Sequence, residues 1–192
     1  MKNSYKFRQA EERDLQKMAD IEEEYFGGYS RAYDFLFMQK WYLYNRDMFY
    51  VVSEEAGTIL AFLILTPITE NLHKQLLQGK VSDMFDFPLD DVLEQFESEF
   101  YYVADICVSK RNEGVRYLTV AVALIRGLIE LLNKNAKYVT TSPITKDGVR
   151  LCEKIGFEVV SEEIYEDKSY PICLLECNEE ARKKFERILR RL

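Results

Sequence analysis

The residues with the clearest chemical potential form one short stretch, KRNEGVRYL, between a strand-like run and a long apolar run. If a helix starts here, its first N–H groups have no partner inside the helix, and the helix dipole adds partial positive charge. Gly114 would let the backbone approach a ligand closely, while Arg111 and Arg116 would supply charge for phosphate oxygens. The stretch therefore predicts a pyrophosphate cradle. The local pattern leaves open the alternative of an ordinary charged turn before a helix.

Length and composition restrict the class of protein. The chain has 192 residues, of which 47% are hydrophobic and 31% charged. These values predict a single globular domain, 1–192. No apolar run approaches the ~20 residues that span a bilayer, and the first ten residues lack the apolar core of a signal peptide. We expect a cytoplasmic protein without a membrane partner.

The charge is unevenly distributed along the chain. The net charge is −7, and residues 1–100 carry 19 acidic and 10 basic side chains. An acidic half argues against nucleic acid as a partner and suits a cationic substrate. The alternative is a solvated surface without a steering role.

Cysteine and histidine give no metal signature. The four cysteines lie inside apolar stretches and are predicted to be core thiols; they are Cys107, Cys152, Cys173 and Cys177. Cys173 and Cys177 lack a second short-spaced pair, so we predict no zinc and no other metal. His73, the one histidine, is predicted to lie on the surface without a role.

Periodicity predicts alternating strands and helices. The strands are predicted at 5–8, 48–54, 58–66, 101–108, 137–141, 157–165 and 170–177. The helices are predicted from Asp14 to Gly27, from a Ser30 cap to about Tyr44, over 115–132, over 145–155 with a Gly156 cap, and over 178–192 with an Asn178 cap.

Residues 67–99 read as a helical insertion between strands. Pro67 is expected to stop the preceding strand, and two short helical patterns follow, around Leu72–Leu77 and Val92–Phe96. Seven acidic residues and no basic one occur between Asp83 and Glu99. The segment is either a lid over a site, a solvated cap or a dimer contact, so a homodimer stays open.

The order of these elements resembles the GNAT acetyltransferase superfamily over nearly the whole chain, except residues 67–99 and the last helix. Two stretches carry the resemblance. The loop pattern [QR]-x-x-G-x-[GA] is matched from Arg111 to Val115, and Arg116 stands where the family usually has Gly or Ala. The stretch TKDGVRLCEKIGF is similar to the family's helix that ends in K-x-G-F.

The resemblance implies an α/β (α+β) fold: a mixed central sheet with a splayed parallel strand pair, flanked by helices, plus the insertion. Strands 101–108 and 137–141 would splay to admit the pantetheine arm of acetyl-CoA. The implied residues that bind acetyl-CoA are Ile106, Cys107, Val108, Arg111, Asn112, Glu113, Gly114, Val115, Arg116 and Thr145.

The implied activity is transfer of an acetyl group from acetyl-CoA to a primary, cationic amine. Asp105 is the candidate base, because it is the one charge in the buried run YYVADICV and burial raises a carboxyl pKa. Asp105 could instead be structural, and Glu99 is a weaker alternative base.

Cys152 stands where the family commonly has the tyrosine that protonates the leaving thiolate. A thiol of ordinary pKa, about 8.5, could supply that proton. Cys152 could instead be a small core residue, with Tyr101 or Tyr165 as substitutes. The rival function is a degenerate GNAT-fold module that binds acyl-CoA, or nothing, and catalyses no transfer.

Overall fold

The structure is a computed structural model that describes residues 5–27, 32–81, 83–165 and 167–191. Within these residues there are seven strands: β1 (Tyr5–Gln9), β2 (Phe49–Glu54), β3 (Ile59–Ile68), β4 (Phe100–Val108), β5 (Tyr138–Thr141), β6 (Glu158–Tyr165) and β7 (Lys168–Glu176). The same described ranges contain six α-helices: α1 (Leu15–Phe26), α2 (Phe35–Tyr44), α3 (Glu70–Leu77), α4 (Gly114–Asn135), α5 (Lys146–Ile155) and α6 (Glu179–Arg191).

The strands form one mixed sheet in the order β1-β2-β3-β4-β5-β7-β6. β4 and β5 pair in parallel, whereas β1 with β2, β2 with β3, β5 with β7 and β6 with β7 pair antiparallel. The parallel ladder joins Phe100–Tyr102 to Tyr138–Thr140, and β4 continues for six residues beyond it. The predicted α/β class and the mixed sheet with one parallel pair are confirmed.

The chain forms two compact units. Unit 1 comprises Met1–Leu65 and Asp105–Leu128, and unit 2 comprises Thr66–Ala104 and Ile129–Leu192. Asp105 and the glycine loop therefore belong to unit 1, whereas Cys152 belongs to unit 2.

In unit 1, the side chains of β1 alternate between two faces. The Phe7 ring stacks on Tyr50 with 5.4 Å between ring centroids. A Cβ added to Gly127 of α4 would lie 2.5 Å from atoms of the same ring, so α4 packs on this face. Arg8 points the other way and binds Asp14, just before α1, at 2.6 Å. The two helices therefore cover opposite faces of β1.

In unit 2, α3 buries a histidine that the sequence placed on the surface. His73 is 5% exposed, and its Nδ1 lies 2.9 Å from the Thr140 hydroxyl of β5. Leu72 and Leu76 are buried on the same helix. The prediction of a surface histidine is wrong, because the apolar face of α3 carries His73 inward and Thr140 satisfies the ring nitrogen.

The start of the second helix also differs from the prediction. α2 begins at Phe35, and its cap is Asp34, whose carboxylate accepts the Phe37 N–H at 2.8 Å. The predicted cap, Ser30, lies outside the described residues. The cap predictions for Gly156, with φ of +116°, and for Asn178, which accepts the Ala181 N–H at 3.0 Å, are confirmed.

The insertion is only partly helical. β3 runs through Pro67 to Ile68, because the Pro67 carbonyl accepts the Leu93 N–H at 3.0 Å and Ile68 bridges Val92. Bridging draws Val92 into an extended conformation, so the second predicted helix is absent from 92–99 and a single 3-10 turn occupies Leu89–Asp91. The predicted strand stop at Pro67 is therefore wrong.

All four cysteines are buried and free, as predicted for core thiols. Within the described ranges, no helix has both the length and the apolar character needed to cross a membrane.

Candidate active site

A cluster of buried acidic groups forms in unit 1, between β4 and α1. Asp105 is 9% exposed, and Cys107, two residues further along β4, points to the same face. Glu22 of α1 is 4% exposed. The Cys107 thiol donates to Asp105 Oδ1 at 3.2 Å and lies 3.9 Å from Glu22 Oε2. The sequence predicted Asp105 but did not predict that Glu22 joins it.

One sequence signal could have revealed Glu22. The apolar face of α1 was predicted from Leu15, Met18, Ile21 and Tyr25. Glu22 follows Met18 by four residues, so it lies on the same side of the helix. A carboxylate in that position must be paired or protonated.

Burial shifts every titratable group of the cluster towards its protonated form. It raises the pKa of Glu22 to about 11, with a further contribution from neighbouring Asp105. Burial also raises the pKa of Asp105, and it raises the pKa of the Cys107 thiol well above its usual value. A cation would have to displace the protons that burial favours, although the nearest atoms of the three groups lie within 4.8 Å of one another. We therefore interpret the cluster as a proton-holding site.

The glycine loop is anchored to β3. Asn112 is buried, and its side-chain amide donates to the carbonyls of Leu60 and Ser109, both at 3.1 Å. The Ser109 N–H also donates to the Leu60 carbonyl, at 2.9 Å. The Asn112 side chain therefore fixes the loop.

The start of α4 leaves donors available. Gly114 has φ of +53°, and a Cβ added there would meet nothing within 4 Å. For the N–H groups of Glu113 and Gly114, no acceptor exists among the residues that the structure describes. Two adjacent N–H groups at a helix N-terminus, beside open space, can receive an anion.

Glu24 places a carboxylate against the beginning of this loop. It accepts the Lys110 N–H at 2.5 Å and the Ser109 hydroxyl at 3.0 Å, and its Oε1 lies 3.4 Å from Arg111 Nε. The Lys110 ammonium donates to the Glu24 carbonyl. Part of the positive charge that the sequence assigned to phosphate is thus already compensated within unit 1.

Arg116, the residue that departs from the family pattern, is bound by Glu54 at the end of β2, with 2.9 Å between the charged atoms. Both side chains are partly exposed. Its guanidinium is therefore engaged by a carboxylate of the chain.

The predicted backbone site on β4 has a neighbour on α1. The Tyr25 hydroxyl donates to the Val108 carbonyl at 2.6 Å, and the Lys110 ammonium lies 4.2 Å from the centre of the Tyr25 ring. Burial raises the pKa of Tyr25 above its ordinary value.

The predicted residues of unit 2 lie on α5. Thr145 caps the helix by accepting the Gly148 N–H at 3.0 Å. Cys152 is buried, and a hydrogen bond with Cys173 of β7, followed by burial, raises its pKa. The expectation of an ordinary thiol pKa for Cys152 is therefore wrong. Tyr101 and Tyr165 were the alternative proton donors. Tyr101 is buried, and its hydroxyl accepts the Ser98 N–H at 3.3 Å. The structure does not describe the side chain of Tyr165.

The mixed sheet with its parallel pair, the glycine turn between β4 and a long helix, and α5 closed by Gly156 together define the fold of the GNAT acetyltransferases. Solved structures of acetyltransferases share it at low sequence identity. An N-acetyltransferase from Staphylococcus aureus Mu50 is 14% identical with a TM-score of 0.61, covering 91% of this chain and 99% of that one.

Two further structures have the same fold. The ribosomal-protein-S18-alanine N-acetyltransferase from Escherichia coli is 13% identical with a TM-score of 0.58, over 90% of this chain and 94% of that one. A GNAT family acetyltransferase from Brucella melitensis, in complex with acetyl-CoA, is 15% identical with a TM-score of 0.54, over 92% and 90%. No family model matches the sequence, and no curated protein matches it.

Proposed function

We propose that the chain is an N-acetyltransferase that moves an acetyl group from acetyl-CoA to a primary amine. The observation that carries the proposal is Asp105: a buried carboxyl of raised pKa on β4 of a GNAT fold. A base with a pKa near the working pH takes up a proton most effectively. Strand β4 is rigid, so it would hold the carboxyl in one place.

In this mechanism Asp105 takes a proton from the ammonium form of the amine, which frees the nitrogen lone pair to form a bond to the thioester carbonyl carbon. The carbon–sulfur bond then breaks, the departing thiolate takes up a proton, and the nitrogen releases its second proton to solvent. Cys152 remains the predicted donor of that proton. Its raised pKa keeps the thiol protonated, but it also makes the thiol a weaker acid than the sequence suggested.

The loop at the start of α4 suits the pyrophosphate of the donor. The N–H groups of Glu113 and Gly114, which have no acceptor among the described residues, would bind phosphate oxygens, and the missing side chain of Gly114 leaves room for close approach. Arg111 could add charge only by leaving or sharing Glu24.

Two substitutions at Gly114 distinguish the effect of its positive φ on stability from the effect of a side chain on the space next to the N–H groups. Asparagine tolerates a positive φ, whereas valine is strained there by about 1–3 kcal/mol. We expect Gly114→Asn to fold with nearly wild-type stability but to bind acetyl-CoA more weakly, because its side chain fills the space next to the free N–H groups. Gly114→Val should lose both stability and affinity. Calorimetric titration and urea unfolding measure the two effects, and unchanged affinity in both folded variants would contradict the cradle.

The acceptor is proposed to be a cationic amine, because unit 2 carries exposed carboxylates in the insertion. Asp90, Glu94 and Glu97 are exposed. Asp91 is different, since it accepts the Thr69 hydroxyl at 2.5 Å and stabilises the start of α3. An acidic surface raises the local concentration of a cation, and salt screens it over about 8 Å at physiological ionic strength.

The expected result is a KM for a cationic acceptor that rises with ionic strength, while the KM for a neutral amine changes less. Replacing Asp90, Glu94 and Glu97 together with their amides should raise KM at low salt and flatten its salt dependence. Initial rates between 20 and 500 mM salt, roughly, provide the measurement. Asp91 is left intact so that the start of α3 is not disturbed. If the KM of the triple variant keeps its full salt dependence, this acidic surface does not steer the acceptor.

A second candidate is an acyl-CoA-binding module without transferase activity. Two observations favour it: Glu24 already compensates Arg111 and the Lys110 N–H, and Glu54 holds Arg116. Acetyl-CoA titration by calorimetry, combined with CoA release across a panel of amines, distinguishes the functions. Binding with turnover supports the transferase, binding without turnover supports the module, and no binding excludes both.

A further inference from the structure

The two buried carboxyls of unit 1 lie side by side in a site that excludes water. Carboxylate oxygens of Glu22 and Asp105 lie within 4.8 Å of each other and of the Cys107 sulfur. An ionised carboxylate is only an acceptor, so a hydrogen bond between the two requires a proton on one of them. Asp105 Oδ2 is fully buried and, among the described residues, has no donor. A proton on Glu22 would satisfy that oxygen.

The charges around the pair lead to the same conclusion. No basic side chain in the described part of the chain forms an ion pair with Glu22 or Asp105. Two unpaired negative charges in one dry site are strongly unfavourable, so one of them is neutralised by a proton. Of the nearby groups that titrate, the Cys107 thiol contacts both carboxyls and stays protonated. The Glu24 carboxylate contributes to the raised pKa of Cys107, and Cys107 in turn contributes to the raised pKa of Tyr25.

The donors near the pair indicate which carboxyl keeps the proton. The Cys107 thiol donates to Asp105 Oδ1 at 3.2 Å and lies farther from Glu22 Oε2, at 3.9 Å, so it favours an ionised Asp105. The Tyr33 N–H donates to Glu22 Oε1 at 3.2 Å, which leaves Oε2 for the side of Cys107 and Asp105. The arrangement therefore has a protonated Glu22 facing an ionised Asp105.

We propose that Glu22 is a positioning residue, which keeps its proton and donates it in a hydrogen bond to the carboxylate of Asp105. This inference rests on the proposed function, in which Asp105 accepts the proton of the amine. The hydrogen bond fixes the orientation of the Asp105 carboxylate. It also keeps that carboxylate ionised in a site where burial alone would protonate it.

Two variants test the role through the pH profile of kcat/KM. Glu22→Leu keeps the volume and removes the donor, so Asp105 should become harder to ionise and the acidic limb should move up by about one pH unit. Glu22→Gln keeps an N–H donor of similar reach and should restore the acidic limb to within about 0.5 unit of wild type. Identical profiles for all three proteins would reduce Glu22 to a core residue and overturn the proposal.

A second measurement does not depend on activity. Infrared spectroscopy detects the carbonyl stretch of a protonated buried carboxylic acid, and we expect one such band at neutral pH. The band should disappear in Glu22→Gln and in Glu22→Leu, and persist in Asp105→Asn. A band lost in Asp105→Asn but kept in Glu22→Gln would place the proton on Asp105 and overturn the proposal, as would no change in any variant.

The two measurements also separate the inference from the proposed function. A Glu22 band in a protein that acetylates no amine would support the shared proton and refute the transferase. If Glu22→Leu does not fold, which circular dichroism would show, the Gln variant and the infrared comparison with Asp105→Asn still decide whether Glu22 holds the proton.

Discussion

Replacing Asp105 with asparagine should lower kcat by about 10²- to 10⁴-fold, the usual contribution of a general base. Asparagine has nearly the same shape but cannot accept the proton of the amine. Because the glycine loop is held by the hydrogen bond from Asn112 to the Leu60 carbonyl, which does not involve Asp105, affinity for acetyl-CoA should change little. CoA release with an accepted amine gives kcat, and calorimetry gives the affinity.

Glu99 is the appropriate comparison, since it was the other carboxyl considered as a base. It is exposed and forms an ion pair with Lys137, with 2.5 Å between the charged atoms, so it lies at the surface and not in a buried site. A large loss of kcat in Glu99→Gln, or an unchanged kcat in Asp105→Asn from pH 6 to 9, would show that Asp105 is structural.

Replacing Asp14 with asparagine should destabilise the protein by about 2–4 kcal/mol. Asp14 binds Arg8 through both oxygens, at 2.6 and 3.2 Å, and accepts the Glu11 N–H at 2.8 Å. Breaking a fully buried pair costs about 3–5 kcal/mol, and Arg8 retains 19% exposure, so a somewhat smaller loss is expected. Urea unfolding at pH 7 measures it. The pair joins β1 to the start of α1, which carries Glu22 and Glu24.

The pH dependence has a definite sign. Burial would raise the pKa of Asp14, but the hydrogen bonds from Arg8 and Glu11 outweigh burial and lower it. The stabilisation is therefore fully present above the unfolded value of about 3.9 and is lost as pH falls through the lower folded value. The advantage of wild type over Asp14→Asn should shrink in that range. The control is Asp20→Asn, an exposed change on α1, whose free energy of unfolding should stay within about 0.5 kcal/mol of wild type. An equal loss of stability in Asp20→Asn would contradict the role of the Arg8–Asp14 pair.

Local patterns determined most of the elements, because they depend on near neighbours. The apolar run of β4, the long apolar face of α4 and the Gly156 and Asn178 caps were predictable from period, burial and cap chemistry. Predictions failed where a distant segment intervened. Ile68 is extended beyond Pro67 because Val92 bridges it, and His73 is buried because Thr140 accepts or donates to its ring.

The sequence by itself determined that Asp105 is a charge in a buried strand and that a long helix begins close to Gly114. Tertiary structure decided the partners: Glu22 lies beside Asp105, Glu24 against Lys110, and Glu54 on Arg116. Glu24 and Lys110 are 86 positions apart in the sequence, and Glu54 and Arg116 are 62 apart. A carboxyl's pKa and an arginine's availability depend on which groups lie within a few ångströms, and folding brings those groups together from distant parts of the chain.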